Sequence, residues 1–351
     1  MKILYAVQGT GNGHLSRALD IIPILKQRAE VDILVSGCQA DVSLPYAVQH
    51  QFKGLSFIFG KKGGVDFVKT FSKLNSRAFY QEMRQLAIES YDLVLNDFEP
   101  ISAWACYFKK KTCIALSHQS AVLAPQAPRP KKEDAFGKFV LKNYAPATHH
   151  YGFHFNRFGE NIFTPVIRSQ IRELIPENQG HITVYLPAYD DWQLIEKLKS
   201  FKEVNWQVFS KHNKMPFRHK HIQVNPINNV AFVQSLATCA GVLCGAGFET
   251  PAEALYLGKK VLAIPMKGQY EQQCNAAALK VMGVPVIPSL KTKHLPVVEE
   301  WLENGAVIPV NYPNETEQII DKILQKHAAG TYPENFPIQT PKTDVPVDFK
   351  V

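Results

Sequence analysis

The sequence is short of the features that mark membrane spans, redox centres and the common nucleotide-binding loops. No apolar run approaches the roughly 20 residues that a membrane-crossing helix needs, and no signal peptide opens the chain. The six cysteines, at positions 38, 106, 113, 239, 244 and 274, contain no Cys-x-x-Cys pair and are expected to be buried thiols. His149, His150 and His154 in HHYGFHF have no matching acid or thiol, so they read as core or surface residues, and no metal site is expected. No Gly-Lys-Ser/Thr follows a glycine loop, which excludes a Walker A site. A cytoplasmic location is the expectation.

What is present is two α/β units. The 351 residues exceed what one core usually organises, and 46% apolar content suffices for two. Strand and helix patterns alternate from residue 2 and restart at 181, so both sheets should be parallel. The boundaries are placed at 1–160, 161–328 and a proline-rich tail, 329–351, which carries Pro333, Pro337, Pro341 and Pro346.

The most informative stretch is 244–276, CGAGFETPAEALYLGKKVLAIPMKGQYEQQCNA. Residues 242–244 read as a strand, 245–247 as a glycine turn, and 250–257 as a helix with Thr250 at its cap and Pro251 in its first turn. Free N–H groups and the positive end of the helix dipole at such a start can hold a diphosphate without a lysine. A buried strand, 261–265, and a polar loop, 267–273, follow at the strand end where doubly wound sheets bind ligands. Glu253, Glu271 and Gln272 are thereby placed to meet hydroxyls, which suggests a nucleotide-sugar site.

Gly245 and Gly247, Thr250, Glu253, Gly258, Glu271-Gln272 and Asn275-Ala276 stand in the order of the donor signature of inverting GT-B glycosyltransferases, and the segment resembles that of the UDP-glycosyltransferases and MurG-like enzymes. The resemblance implies two Rossmann-like domains with parallel sheets facing across a cleft. It also implies a nucleotide sugar, UDP-linked, as donor co-substrate, with no cofactor and no metal. Gly247 and Thr250 would hold the diphosphate, Glu253 the ribose, Glu271 and Gln272 the sugar, and Pro226-Ile227 the base through backbone groups. Two departures are visible: Gly245 stands where plant-type members have His, and Glu271 replaces the Asp of their Asp-Gln pair. The segment 163–168, with Pro165 and Arg168, resembles the interdomain Pro-x-x-Arg of MurG-like enzymes.

At the amino terminus, strand 2–8 leads into GTGNGHLSRALDII, whose Leu15, Ala18, Leu19 and Ile22 share a helix face. Gly9, Gly11 and Gly13 lack the Gly-x-Gly-x-x-Gly spacing, and strand 31–35 ends in Ser36-Gly37 rather than an acid, against a dinucleotide fold. What remains resembles the glycine loop of the GT-B amino-terminal domain, with Gly11 and Gly13 on the donor side and His14 facing the cleft. An imidazole there can take the proton of an acceptor hydroxyl; a helix-capping role is the plain alternative.

Two more strands of this sheet, 91–96 and 112–116, end at Asp97-Phe98-Glu99-Pro100 and Ser117-His118-Gln119-Ser120. Asp97 could orient His14. Glu99 could be the base or bind acceptor, and His118 lies on the acceptor side as another base candidate. Helix capping or a salt bridge would equally explain either acid, and Asp97-x-Glu99 also resembles the metal-binding pair of another glycosyltransferase fold.

The net charge of +8 is concentrated in the first unit. Lys61, Lys62, Lys69, Lys73, Arg77 and Arg84 interleave with Phe67, Phe71, Phe79 and Tyr80. Arg129, Lys131, Lys132, Lys138 and Lys142 follow a proline-rich stretch. Such a face suits an anionic membrane, on its inner side, or an anionic acceptor, and a solvated helix is the common meaning. No nucleic-acid module accompanies it. The expected activity is transfer of a sugar to an acceptor hydroxyl with inversion, in cell-envelope glycan or glycolipid synthesis, the acceptor being lipid-linked in that setting. A nucleotide-sugar 2-epimerase of the same architecture and a non-catalytic nucleotide-sugar binder are the alternatives.

Overall fold

The computed structural model describes residues 1–37, 44–54 and 76–327. Cys38, the lysines and phenylalanines of 61–73 and the tail 329–351 lie outside them.

The first sheet consists of β1 (Lys2–Gln8), β2 (Glu30–Ser36), β3 (His50–Phe52), β4 (Leu93–Asp97), β5 (Ile114–Leu116), β6 (His149–Phe153) and β7 (Ile162–Phe163). Their order is β3-β2-β1-β4-β5-β6-β7, and every pair is parallel. Helices cover both faces, which is why β1 reads as a near-continuous apolar run: Ile3 to Val7 are wholly buried. The register pairs Val7 with Asp97. That pairing sets the end of β4 beside the loop leaving β1, at the point where strand order reverses and such sheets open a crevice.

The second sheet consists of β8 (His181–Tyr185), β9 (Asn205–Ser210), β10 (Phe217–His219), β11 (Ile222–Pro226), β12 (Gly241–Gly245) and β13 (Lys260–Ile264), in the order β10-β11-β9-β8-β12-β13. The expectation of a parallel sheet holds for the inner strands, while the short edge strand β10 runs antiparallel to β11. A hairpin turn carries the chain from 219 to 222, with Lys220 at φ 55°, and so requires the reversal. The crevice of this sheet lies between β8 and β12.

The carboxyl ends of the two sheets face one another. Phe248, just after β12, stacks on His118 of the first sheet at 3.9 Å and packs against Phe155 at 5.2 Å. Helix Thr316–His327 follows the second unit in sequence yet packs on helix Asn12–Arg28 of the first. Ile320, Ile323 and Leu324 are wholly buried, and Arg28 donates to Asp321 and Glu317. The five described cysteines are free and buried, as expected. Among the described residues no helix is long and apolar enough to cross a membrane.

Candidate functional site

A cavity of about 750 Å³ lies between the sheets, within the size range of small-molecule sites. The glycine loop after β1 forms its floor on one side. Helix Asn12–Arg28 starts there with no side-chain cap, and His14 is in its first turn. His14 Nδ1 lies 2.8 Å from Asp97 Oδ1. With that nitrogen donating to the carboxylate, Nε2 carries its lone pair on the cleft side and accepts a long hydrogen bond from the Gln119 amide at 3.4 Å, which an acceptor hydroxyl would displace. The arrangement is that of a carboxylate fixing an imidazole's tautomer and orientation.

Asp97 has a second partner that sequence reasoning missed. Arg17 donates from Nε and Nη2 to both Asp97 oxygens at 2.8–3.1 Å and from Nη1 to Glu249 of the other unit. Burial alone would raise the Asp97 carboxyl, but Arg17 and then His14 outweigh it and hold it below the usual carboxylate range. Burial pushes the Glu249 carboxyl up to about 7, against the pull of Arg17. The available signal for Arg17 was its spacing: three residues after His14, it shares a helix face with it.

Phe98 follows Asp97 with φ 58°, a left-handed conformation that is costly for a bulky side chain. The turn points its ring at the cleft, stacked on Tyr144 at 4.8 Å and parallel to His14 at 6.4 Å. It also separates the two acids. Glu99 is fully buried as the N-cap of helix Pro100–Lys109, accepting from the backbone N–H of Ile101 and Ser102 at 2.7 Å each and from Ser102 Oγ. Its carboxylate is spent on the helix, and it does not line the cleft. The plain capping reading therefore describes Glu99, whose carboxylate is engaged by helix N–H groups, while that of Asp97 is engaged by Arg17 and His14. His118 is likewise occupied. Its Nδ1 lies 2.8 Å from the Phe153 carbonyl and its Nε2 2.7 Å from Asn275 Oδ1 of the other unit, so neither nitrogen is free for an acceptor. Burial holds its proton affinity below the ordinary imidazole value.

On the opposite wall, β12 runs one residue further than expected and Gly245 is its last residue, with Gly247 open to the cleft. The next helix is Glu249–Tyr256, and Phe248 precedes it without any side-chain cap. Thr250 is thus inside the first turn rather than at the cap. Thr250 still lines the cleft, and the helix start stays uncapped as an anion site requires. The loop expected at 267–273 is already helical from Tyr270, so Glu271 and Gln272 project from a first turn. Glu271 accepts from Gln119 at 3.0 Å, and Gln272 accepts from the Met266 N–H at 2.8 Å.

Glu253 is 3% exposed and bound bidentately by Arg168, which also donates to Asn229 at 2.9 Å. The expected meeting of Glu253 with a ribose thus involves a carboxylate that already has a cationic partner. Of the base-seating pair, Ile227 lines the cleft with its N–H given to the Ser210 carbonyl, whereas Pro226 is the last residue of β11 and does not line it. Gly11 and Gly13 both line it. Lys211 and His212, just past β9, also line the cavity, and sequence reasoning did not single them out. Their place at a strand end was the signal.

The pattern of glycosyl transferase family 1 matches residues 1–304. The chain belongs to that family. Within glycosyl transferase family 1 its fold is that of solved GT-B glycosyltransferases. The glycosyltransferase SnogD from Streptomyces nogalater is 13% identical, with a TM-score of 0.52 over 92% of this chain and 99% of SnogD. A UDP-glucosyltransferase from Polygonum tinctorium, capable of glucosylating indoxyl and 3,4-dichloroaniline, is 12% identical, with a TM-score of 0.56 over 93% and 94%. UGT89C1 of Arabidopsis thaliana, solved with UDP-L-rhamnose, is 14% identical, with a TM-score of 0.55 over the same shares. These identities carry the fold alone. No curated protein matches the chain by sequence.

Proposed function

We propose that this family member transfers a sugar from a UDP-sugar to an acceptor hydroxyl with inversion, His14 serving as the base. One observation carries the reading: His14 is oriented by Asp97 with Nε2 toward a cavity whose far wall holds the uncapped start of helix Glu249–Tyr256. In the reaction the acceptor O–H gives its proton to Nε2 as the oxygen bonds to the anomeric carbon. The bond from that carbon to the diphosphate oxygen breaks on the opposite side. Asp97 stabilises the imidazolium, and the N–H groups of the helix start take up the leaving charge, so that no metal is required. Glu253 would share its remaining lone pairs with the ribose, and Glu271 and Gln272 would read sugar hydroxyls. UDP as the nucleotide is favoured by UGT89C1, solved with UDP-L-rhamnose, and by the Polygonum enzyme, a UDP-glucosyltransferase.

The acceptor side suits a hydroxyl carried on a lipid. Helix Ala135–Asn143 lines the cleft with Gly137, Val140 and Leu141 and leaves Phe136 and Phe139 46% and 63% exposed next to Lys138 and Lys142. Rings and lysines together fit a peripheral contact with an anionic membrane.

Incubation with a panel of nucleotide sugars and candidate acceptors, read by mass spectrometry, tests the activity. A glycosylated acceptor with released UDP is expected. Epimerised donor without transfer, or binding without turnover, would replace this reading with the corresponding alternative.

A further inference from the structure

Arg17 is 2% exposed and joins acids of both units, Asp97 at the end of β4 and Glu249 at the start of the donor-side helix. Its Nη2 also stands 3.3 Å from His14 Nδ1. Gly13 makes the contact across the cleft possible: a Cβ there would stand 3.0 Å from Glu249 Cγ, so a side chain would press Glu249 away. The glycine loop thus receives a side chain from the opposite unit.

The charges in this cluster are unequal. Asp97 alone would favour a protonated imidazole, and Arg17 cancels much of that effect at the same oxygens. An ionised Glu249 restores a net negative charge, and a protonated one does not. Among the other ionisable groups facing the cluster, Glu271 accepts from the Gln119 amide that stands 3.4 Å from His14 Nε2 and adds a negative charge that the variants below leave unchanged. Tyr5 of β1 is kept neutral by burial, Glu253 on the same helix is held by Arg168, and burial disfavours charge on His118.

We propose that Arg17 and Glu249 are positioning residues for the His14 base, a pair across the cleft through which the donor-side helix sets the charge beside the imidazole. This rests on the reading of His14 as base. The Glu249 carboxyl, pushed up to about 7 by burial, changes charge in the range where such a base works.

Histidine-selective labelling of the full-length protein allows the His14 ring signal to be followed by NMR against pH, with assignment by its loss in His14→Ala. Glu249→Gln removes a negative charge while keeping shape, and the His14 titration midpoint should fall by about one pH unit. Arg17→Gln should move it the other way. Gly13→Ala should act in the direction of Glu249→Gln, and it keeps the sign testable should the Arg17 variant fail to fold. A folded Glu249→Gln protein with an unmoved midpoint overturns the pairing, because a merely structural contact would leave the titration alone. Turnover of His14→Ala separates the two claims. Full activity there removes the base reading whatever the NMR shows, whereas an inactive His14→Ala with an unmoved Glu249→Gln midpoint removes only the inference.

Discussion

Removing the Glu253 carboxylate separates a structural role from a donor-binding one. Glu253→Ala deletes both acceptors of a buried Arg168, whose side chain is 11% exposed and keeps only Asn229 among its side-chain hydrogen-bond partners here. Breaking a buried ion pair from one side costs about 3–5 kcal/mol. The Asn229 bond and the residual exposure of Arg168 lower that to about 2–4 kcal/mol. The ion pair makes Glu253 a contributor to fold stability as well as a candidate donor ligand. Urea denaturation of wild type, Glu253→Ala, Arg168→Met and the double variant would measure the coupling. The double variant should lose less than the sum of the singles, since each single strands a buried charge. Calorimetric titration with UDP on the folded proteins should show a further loss of about 1–3 kcal/mol in affinity if Glu253 also meets the ribose. A stability change under about 0.5 kcal/mol would mean that the pair is not formed in the free protein, and unaltered UDP affinity would end the ribose assignment.

Three other outcomes are expected. Turnover should survive exhaustive EDTA treatment, and loss restored by Mn²⁺ or Mg²⁺ would show that helix and backbone donors do not suffice for the leaving charge. Stability should depend on pH with opposite signs at two acids. Asp97, held low when folded, contributes above its unfolded value near 3.9, and that contribution is lost as pH falls through its folded value. Glu249 contributes below about 4.3 and loses this as pH rises toward about 7. Denaturation of Asp97→Asn and Glu249→Gln across pH should flatten the acid and the near-neutral slopes respectively, and unchanged slopes would refute the assignments. Finally, the protein should sediment with anionic vesicles but not neutral ones, and a Phe136→Ser/Phe139→Ser variant that sediments equally would refute the docking face.

The parts of this molecule written in local pattern were legible in the sequence. Strands 2–8 and 242–244 and the glycine loops follow from apolar runs and turn residues, and Leu15, Ala18 and Ile22 of the first helix are buried as read while Leu19 is not, Ile21 and Leu25 being buried instead; the His14 and Asp97 meeting follows from their strand-end positions. What depends on contacts between distant segments was not. Arg17 looked like an ordinary helix arginine until Asp97 and Glu249 closed on it from positions 80 and 232 residues away. Glu99 and His118 had the right chemistry at the right strand ends, but the capping of helix Pro100–Lys109 and the Asn275 contact took their polar atoms. Local spacing does not reveal which partner a carboxylate or imidazole finds first. Helix Thr316–His327 illustrates the same limit, since its docking face matches helix Asn12–Arg28 and nothing in its own periodicity says so.

The decisive measurement is turnover of His14→Ala with a competent donor and acceptor, together with the configuration of the product read from its new anomeric proton by NMR. A fall of about 10²–10⁴-fold in the chemical step, with donor affinity nearly unchanged and an inverted anomeric centre in the wild-type product, is the predicted result. A retained configuration, or full turnover without the imidazole, would contradict it.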